Sequence, residues 1–235
     1  MSNPFLQLDN PEPWGPGSFE MAEPLIEAVA IRPGMRVLEV GAGSGQIAVA
    51  LAKHWNVTVF TLEPWFGGER IQWLAAREGV FERVIALKQR AEQLAFAEAT
   101  FDAVISIGSF EMIRDQRSAA LAQMVRVAKP GARVGIAEPM CLAAPIPPDV
   151  AALDRAGNLQ FQEHFRSTEW NAELFRAAGL VITEQRNFPE ALAWWDKYAA
   201  VRLMGEKQKP ERDLIAADRG RWLTLGMVVG AKPRG

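Results

Sequence analysis

The chain has 235 residues, of which 49 % are hydrophobic and 23 % charged, and its formal net charge is −2. This balance argues against nucleic acid or an anionic membrane as a partner and favours a small-molecule substrate. The single cysteine, Cys141, excludes an internal disulfide framework and agrees with a reducing cytoplasm.

The N-terminal part of the sequence predicts a flap followed by a helix. Residues 1–18 are rich in proline and glycine and predict the flap, and residues 19–30 have the spacing of a helix. Strands and helices then alternate, which predicts right-handed crossovers and a parallel sheet. The predicted strands are 36–40, 57–62, 84–88, 101–107 and 132–137, and the predicted helices between them are 45–54, 67–78 and 116–128, with Lys129-Pro130-Gly131 ending the last.

The alternation breaks after residue 138. We interpret the proline-rich segment 139–167 and the segment 188–221 as cap-like insertions in a single domain covering 1–235. Between them the sequence predicts a helix over 168–178, capped by Thr168, and a strand over 180–186. The last predicted strand is 222–229.

Targeting and metal-binding patterns are missing from the sequence. The polar start of the chain lacks the basic and apolar regions of a signal peptide, and no apolar run approaches the roughly 18 residues of a membrane span. We therefore expect a cytoplasmic protein without a membrane span. Neither paired histidines nor clustered cysteines predict a metal site, and oligomeric state is left open.

The glycine-rich turn after the first predicted strand is the most informative motif. Gly41, Gly43 and Gly45 stand between a buried strand and a helix, and Glu63 ends the next strand, 20 residues beyond Gly43. Alternate glycines let a ligand approach the backbone, and an acidic side chain at that strand end can accept hydrogen bonds from ribose hydroxyls. The alternative is an ordinary βα turn without a ligand.

Four ordered segments resemble the class I S-adenosylmethionine-dependent methyltransferases, in their small-molecule branch. They are the run Val37 to Gly45, Glu63, the strand Phe101 to Ser106 and the turn Lys129 to Ala132. The resemblance implies an α/β fold with a doubly wound, seven-stranded, mostly parallel sheet whose last strand is antiparallel. It also implies S-adenosylmethionine as cofactor.

The resemblance further implies which residues hold that cofactor. Glu39 would organise the turn or meet the cofactor's ammonium group, Glu63 would bind the ribose, and Ser106 would line the methionine part. Arg90 departs from the acidic residue common there, and an arginine cannot accept the adenine hydrogen bond, so Glu92 or backbone carbonyls would do so. The full predicted cofactor set is Glu39, Gly41, Ala42, Gly43, Ser44, Gly45, Glu63, Pro64, Arg90, Ala91, Glu92 and Ser106.

Candidate catalytic and substrate residues lie outside this set. Glu111 and His164 are the catalytic candidates, although Glu111 also suits a helix cap and His164 a core or surface position. The substrate-binding candidates are Trp14, Ser109, Phe110, Trp194 and Trp195. The two adjacent tryptophans would wall a pocket or hold a cation, or only attach the insertion to the sheet, and Trp55, Trp65 and Trp73 are interpreted as packing residues.

The leading function predicted is methyl transfer to an N, O, S or C nucleophile of a small molecule. A nicotinamide-dependent oxidoreductase is the first alternative, but its Gly-x-Gly-x-x-Gly form requires glycine where this chain has Gln46. A non-catalytic cofactor-binding protein of the same fold is the second alternative.

Overall fold

The computed structural model describes residues 3–8, 11–65 and 67–234. Within them one sheet has seven strands in the order β3-β2-β1-β4-β5-β7-β6. The strands are β1 Arg36–Val40, β2 Thr58–Leu62, β3 Val84–Leu87, β4 Phe101–Ile107, β5 Ala128–Cys141, β6 Val181–Asn187 and β7 Leu223–Ala231. Strands β1 to β5 pair in parallel, and β7 is antiparallel to both β5 and β6. The predicted α/β fold is confirmed.

Helices cover both faces of this sheet. Their bounds are α1 Ala22–Val29, α2 Gln46–Trp55, α3 Glu69–Arg77, α4 Arg117–Val127, α5 Pro148–Gly157, α6 Phe161–His164, α7 Thr168–Ala177, α8 Ala191–Arg202 and α9 Lys209–Asp218. Short 3-10 turns occupy Pro4–Gln7, Phe81–Arg83, Phe110–Gln116 and Glu206–Gln208.

The core forms two layers because successive side chains of a strand point to opposite faces. In β1, Val37 belongs to the layer under α1 and α2, whereas Leu38 and Val40 belong to the layer under α4 and α7. Both layers are buried from solvent. Because β1 is covered on both faces, its residues next to Glu39 are apolar on both sides of the sheet.

Three local predictions are corrected by the structure. Strand β5 begins at Ala128 rather than 132 and runs on to Cys141, because its partner β7 pairs with it as far as Cys141. Helix α4 ends at Val127, so the Lys-Pro-Gly segment lies within the start of β5. The cap of α7 is Ser167 rather than Thr168, since the Ser167 hydroxyl accepts the Trp170 N–H at 3.2 Å.

The two predicted insertions consist mainly of helices. Beyond β5, the first carries α5 and α6, and the second carries α8 and α9. Their apolar side chains join the layer under α1 and α2, among them Val150, Trp195 and Leu214. Residues 139–141 belong to β5, so the first segment is less irregular than its prolines predict.

Candidate functional site

The site lies at the carboxyl ends of β1 and β4, where the chain order reverses direction across the sheet. Open α/β sheets bind ligands at such a topological switch point. A cavity of about 770 Å³ opens there, within the range of about 300–1,000 Å³ typical of ligand pockets. Its walls come from the flap, the turns after β1, β2, β3 and β4, and the helices of both insertions.

The glycine turn forms the floor of one end of the cavity. Gly41, Gly43 and Gly45 all have positive φ, at 89°, 49° and 78°, a region that side chains disfavour. A Cβ at Gly41 would stand 1.9 Å from the Ser109 hydroxyl oxygen, and one at Gly43 would stand 3.6 Å from the Trp14 ring. The turn therefore depends on glycine both for its conformation and for the space above it.

Glu63 lies beside this turn and is almost completely buried, at 7 % exposure. One carboxylate oxygen accepts the Gly43 N–H at 3.2 Å, and the other accepts the Trp65 N–H at 3.1 Å. Each oxygen keeps a second lone pair. The carboxylate is thus held in place at the cavity wall with acceptor capacity left for a ligand.

Glu39 lies beneath the turn and does not line the cavity. Its carboxyl accepts the Thr61 hydroxyl inside the sheet. Burial raises its pKa to about 8, with the Thr61 bond opposing this shift and the Glu63 charge adding to it. Of its two predicted roles, this position suits organisation of the turn.

The predicted adenine end is lined by Pro64, Arg90, Ala91 and Glu92. The Arg90 guanidinium lies 5.5 Å from the centre of the Trp65 ring. Trp65 also lines the cavity and is 69 % exposed, so its interpretation as a packing residue was wrong. Its place directly after a strand end was the sequence feature that could have identified it.

Two serines connect the floor to the next strand. Ser106 is fully buried; its hydroxyl donates to the Val40 carbonyl at 2.8 Å and lies 2.9 Å from the Ser109 hydroxyl. Ser109 lines the cavity and Ser106 does not. Gly45 also lies outside the lining, whereas Ala42 and Ser44 are part of it.

The far end of the cavity contains Glu111 and His164, the two catalytic candidates. Glu111 is 5 % exposed and His164 7 %. The Glu111 N–H donates to a Glu138 carboxyl oxygen at 2.8 Å. Burial raises the pKa of Glu111 to about 7, against a hydrogen bond from Glu138 and the Arg117 charge.

Arg117 lies behind this end of the cavity and connects two parts of its wall by hydrogen bonds. It is 3 % exposed and donates to the Glu111 carbonyl at 2.7 Å and to the His164 carbonyl. Burial lowers the pKa of His164, and the charges of Arg114 and Arg117 lower it further. The imidazole is therefore neutral near pH 7.

The structure brings only some of the substrate candidates to the cavity. Trp14 and Ser109 line it, whereas Phe110 is fully buried in the core. Trp195 is also core, donating its indole N–H to the Thr224 carbonyl at 3.3 Å, and Trp194 packs 5.3 Å from the Phe188 ring. Neither tryptophan of α8 lines the cavity, which agrees with their alternative role in packing.

Other residues of the insertions form the wall instead. Phe161, Phe165, Tyr198 and Glu211 line the far end, and none of them is a predicted site residue. In the part of the chain that the structure describes, His, Cys, Asp and Glu side chains form no group of three able to hold a metal ion. No helix of the described residues has the length and apolarity needed to cross a membrane.

Comparison with known proteins relates part of this site to a described family. Residues 37–131 match the family model described as a methyltransferase domain. The matched residues include β1, the glycine turn, Glu63 and β4, so the similarity and the candidate site depend on the same part of the chain.

Individual similarities extend beyond this methyltransferase domain. The chain is 32 % identical over 152 residues to the O-methyltransferase resE of Aspergillus sclerotiorum, covering 64 % of this chain and 56 % of that protein. It spans between 42 % and 56 % of the length of the first curated relatives that it matches.

Two solved structures share the fold over most of the chain. The [4+2]-cyclase SpnF has a TM-score of 0.76 at 19 % identity, covering 92 % of this chain and 81 % of its own. Geranyl diphosphate methyltransferase in complex with S-adenosylmethionine has a TM-score of 0.74 at 16 % identity, covering 91 % and 84 %. Because one of these is named a cyclase, the fold alone does not determine the reaction.

Proposed function

We propose that this protein transfers a methyl group from S-adenosylmethionine to a small-molecule acceptor. The observation that carries the proposal is Glu63, held by the glycine-turn N–H of Gly43 at the wall of a cavity at the switch point. This arrangement suits a ribose-bearing cofactor, and the matched methyltransferase domain identifies which one.

The lining residues divide between the two substrates. Ala42, Gly43 and Ser44 would approach the amino acid part of the cofactor, Glu63 the ribose, and Trp65 with Ala91 the adenine. When bound, the cofactor supplies an activated methyl group on a sulfonium. The protein's own task is to align the acceptor with that methyl and to exclude water, since the leaving group is already good.

Trp14 supports the exclusion of water. Its ring lies over Gly43, and the flap that carries it is held by a hydrogen bond from the Glu12 N–H to the Gln46 side-chain oxygen at 2.9 Å. The flap therefore covers the cofactor end of the cavity.

Calorimetry with S-adenosylhomocysteine tests the cofactor assignment. We expect saturable binding, and Glu63→Ala should weaken it by about 1–3 kcal/mol through lost hydrogen bonds. Glu98→Ala, a change of the same type at an exposed position, should leave the affinity unchanged. No binding to the wild-type protein would overturn the proposal, and unchanged affinity in Glu63→Ala would remove Glu63 from the site.

Methyl transfer itself requires a separate measurement. A screen over thiols, amines, phenols and carboxylic acids with mass detection should show a product heavier by one methylene unit than its acceptor. Cofactor binding without transfer to any acceptor would favour the non-catalytic alternative.

A further inference from the structure

Two buried polar atoms in the lining of the far end of the cavity have no hydrogen-bond partner among the residues that the structure describes. They are Oε2 of Glu111 and Nε2 of His164, and both residues line the cavity. An unpaired buried polar atom is costly, so its presence in a cavity wall needs an explanation. A ligand that supplies the missing hydrogen bonds provides one.

The protonation states of the neighbouring groups define what these atoms can do. Burial and the Glu111 charge raise the pKa of Glu138 well above its ordinary value, so Glu138 is the protonated member of the pair. Its hydroxyl then donates to Glu111, which favours the ionised form of Glu111. Two adjacent buried carboxyls thus carry one proton between them, with Glu111 facing the cavity.

The groups around Glu111 come from three further elements. Glu138 lies on β5, Arg117 on α4 and His164 on α6, and the charges of Asp115 and Arg166 act on Arg117 from outside. Of these groups, Arg117 favours the ionised form of Glu111 before it accepts a proton, because its charge lowers the pKa of that carboxyl.

The charges of the lining argue against an ionised acceptor. Among the described lining residues, Arg90 is the sole arginine or lysine, and it lies at the adenine end beside Trp65. An anionic acceptor would find no basic side chain at the far end. A cationic one would meet the potential of Arg114 and Arg117, whose charges add to burial in lowering the pKa of His164. Glu111 would attract an ammonium group, but that group has no lone pair with which to attack the methyl carbon until it loses a proton.

Most of the other side chains named at this end are apolar or aromatic. They are Ile113, Leu159, Phe161, Phe165 and Tyr198, and the one carboxyl among them, Glu211, has a pKa raised by burial. Such a surface suits a flat hydrophobic body with a small number of polar groups at one edge.

From these features we infer that the methyl acceptor is an uncharged hydroxyl compound with an aromatic or similarly apolar body, and that Glu111 receives its hydroxyl proton. His164 Nε2 accepts or shares a hydrogen bond at the same edge of the molecule. The inference deepens the proposed methyl transfer and depends on it.

The reaction balances with these groups alone. The acceptor oxygen forms a bond to the methyl carbon while the carbon–sulfur bond breaks, and its electron pair stays on sulfur, which becomes a neutral thioether. The hydroxyl proton moves to the Glu111 carboxylate. A base is needed because a phenol ionises only near pH 10 in water.

Matched acceptors on one ring system test the substrate class. The probes are 2-naphthol, 2-naphthoate, 2-naphthyl phosphate and 2-naphthylmethylammonium, with the same four groups on benzene and biphenyl. We expect methyl ethers from hydroxyl members and at least about tenfold less product from every charged member, the least that one unpaired buried charge costs.

Preference for a charged series would overturn the inference, as would the absence of both product and binding for every hydroxyl member. S-adenosylhomocysteine affinity is measured on the same protein. If the protein binds S-adenosylhomocysteine but prefers a charged acceptor, this inference alone is overturned. If it does not bind S-adenosylhomocysteine, the proposed function is overturned.

Variants test the proton acceptor. With the hydroxyl probe that is methylated best, Glu111→Gln should lower kcat by about 100-fold or more, while S-adenosylhomocysteine affinity stays unchanged. Glu98→Gln serves as the control for the same chemical change at an exposed position.

The pH profile distinguishes proton acceptance from a structural role. Because the pKa of Glu111 is raised to about 7, the wild-type rate should rise with pH and level off above that value. The residual activity of Glu111→Gln should lack this rise, and His164→Gln should keep it. A Glu111→Gln profile with the wild-type shape would overturn the assignment of Glu111.

Discussion

At the scale of single residues, a comparison of Gly41 with Gly34 separates the cost of a left-handed backbone from the cost of steric overlap. Gly41 and Gly34 have similar positive φ, 89° and 83°, but a Cβ at Gly34 meets no atom within 4 Å, whereas one at Gly41 would overlap Ser109. Left-handed backbone costs alanine about 1–2 kcal/mol, and overpacking costs a further 1–3 kcal/mol or so.

We therefore expect both Gly34→Ala and Gly41→Ala to lower the free energy of unfolding, with the larger loss at Gly41. Urea unfolding followed by circular dichroism measures both. Equal losses would show that Ser109 moves aside without cost and that the close approach at Gly41 does not constrain the turn.

Glu63 shows how far residue-level prediction reaches. Its place at a strand end, 20 residues after Gly43, was readable from the sequence. Its hydrogen bonds to the N–H groups of Gly43 and Trp65 were not, because they depend on how two separate turns meet. The same limit applies to Ser106, which was predicted to line the methionine part of the site but is buried beneath the cavity surface.

At the scale of elements, Gln46 joins the flap to α2, the helix that follows the glycine turn. This residue begins α2, and its side-chain oxygen accepts the Glu12 N–H. Glutamine at the position where a dinucleotide-binding fingerprint requires glycine thus has a structural role here.

Gln46→Ala should loosen the flap. We expect faster amide hydrogen exchange over residues 11–18, measured by mass spectrometry, and weaker S-adenosylhomocysteine binding. Gln72→Ala is the matched control, because Gln72 also bonds a backbone atom, the Val84 carbonyl at 2.9 Å, but that carbonyl belongs to β3 and not to the flap. Unchanged exchange over 11–18 in Gln46→Ala would show that other contacts suffice to hold it.

Elements with strong local patterns were predicted well. Strands β1 and β4 have the bounds predicted from their apolar runs, and the ends of α2 and α7 differ from the prediction by at most one residue. The length of β5 was underestimated because its Lys-Pro-Gly start resembles a turn. Its far end depends on pairing with β7, whose paired residues lie more than 80 positions away along the chain.

At the scale of the whole molecule, the family pattern predicted a seven-stranded, mostly parallel sheet with an antiparallel last strand. It could not predict which side chains of the insertions reach the cavity. Trp194 and Trp195 face the packing side of α8, whereas Tyr198, one turn further on, lines the cavity. That choice depends on how α8 and α9 are placed on the sheet, which no local pattern determines.

The buried carboxyls also affect the stability of the whole fold. Burial raises the pKa of Glu39 from 4.5 to about 8 and that of Glu111 to about 7. The folded state therefore holds protons that the unfolded chain releases above pH 4.5. The stabilisation from these two groups is fully present below pH 4.5 and is lost as pH rises toward 8.

His164 acts in the opposite direction, because its pKa is lowered from 6.5 and its contribution to stability grows as pH rises to that value. A variant comparison separates the two effects. Glu39→Gln keeps an acceptor for the Thr61 hydroxyl but cannot ionise, so its free energy of unfolding should fall less than that of the wild type between pH 5 and 8.

We expect this difference to reach roughly 3–4 kcal/mol between pH 5 and 8, because each unit of pH between the unfolded pKa of 4.5 and the folded pKa of about 8 contributes about 1.4 kcal/mol. Urea unfolding at four pH values measures it, with Glu98→Gln as the control for an exposed carboxylate. Parallel curves for wild type and Glu39→Gln would mean that Glu39 is ionised in the folded protein. In that case the turn beneath the cofactor would contain a buried negative charge, and binding of the sulfonium cation should strengthen as Glu39 ionises.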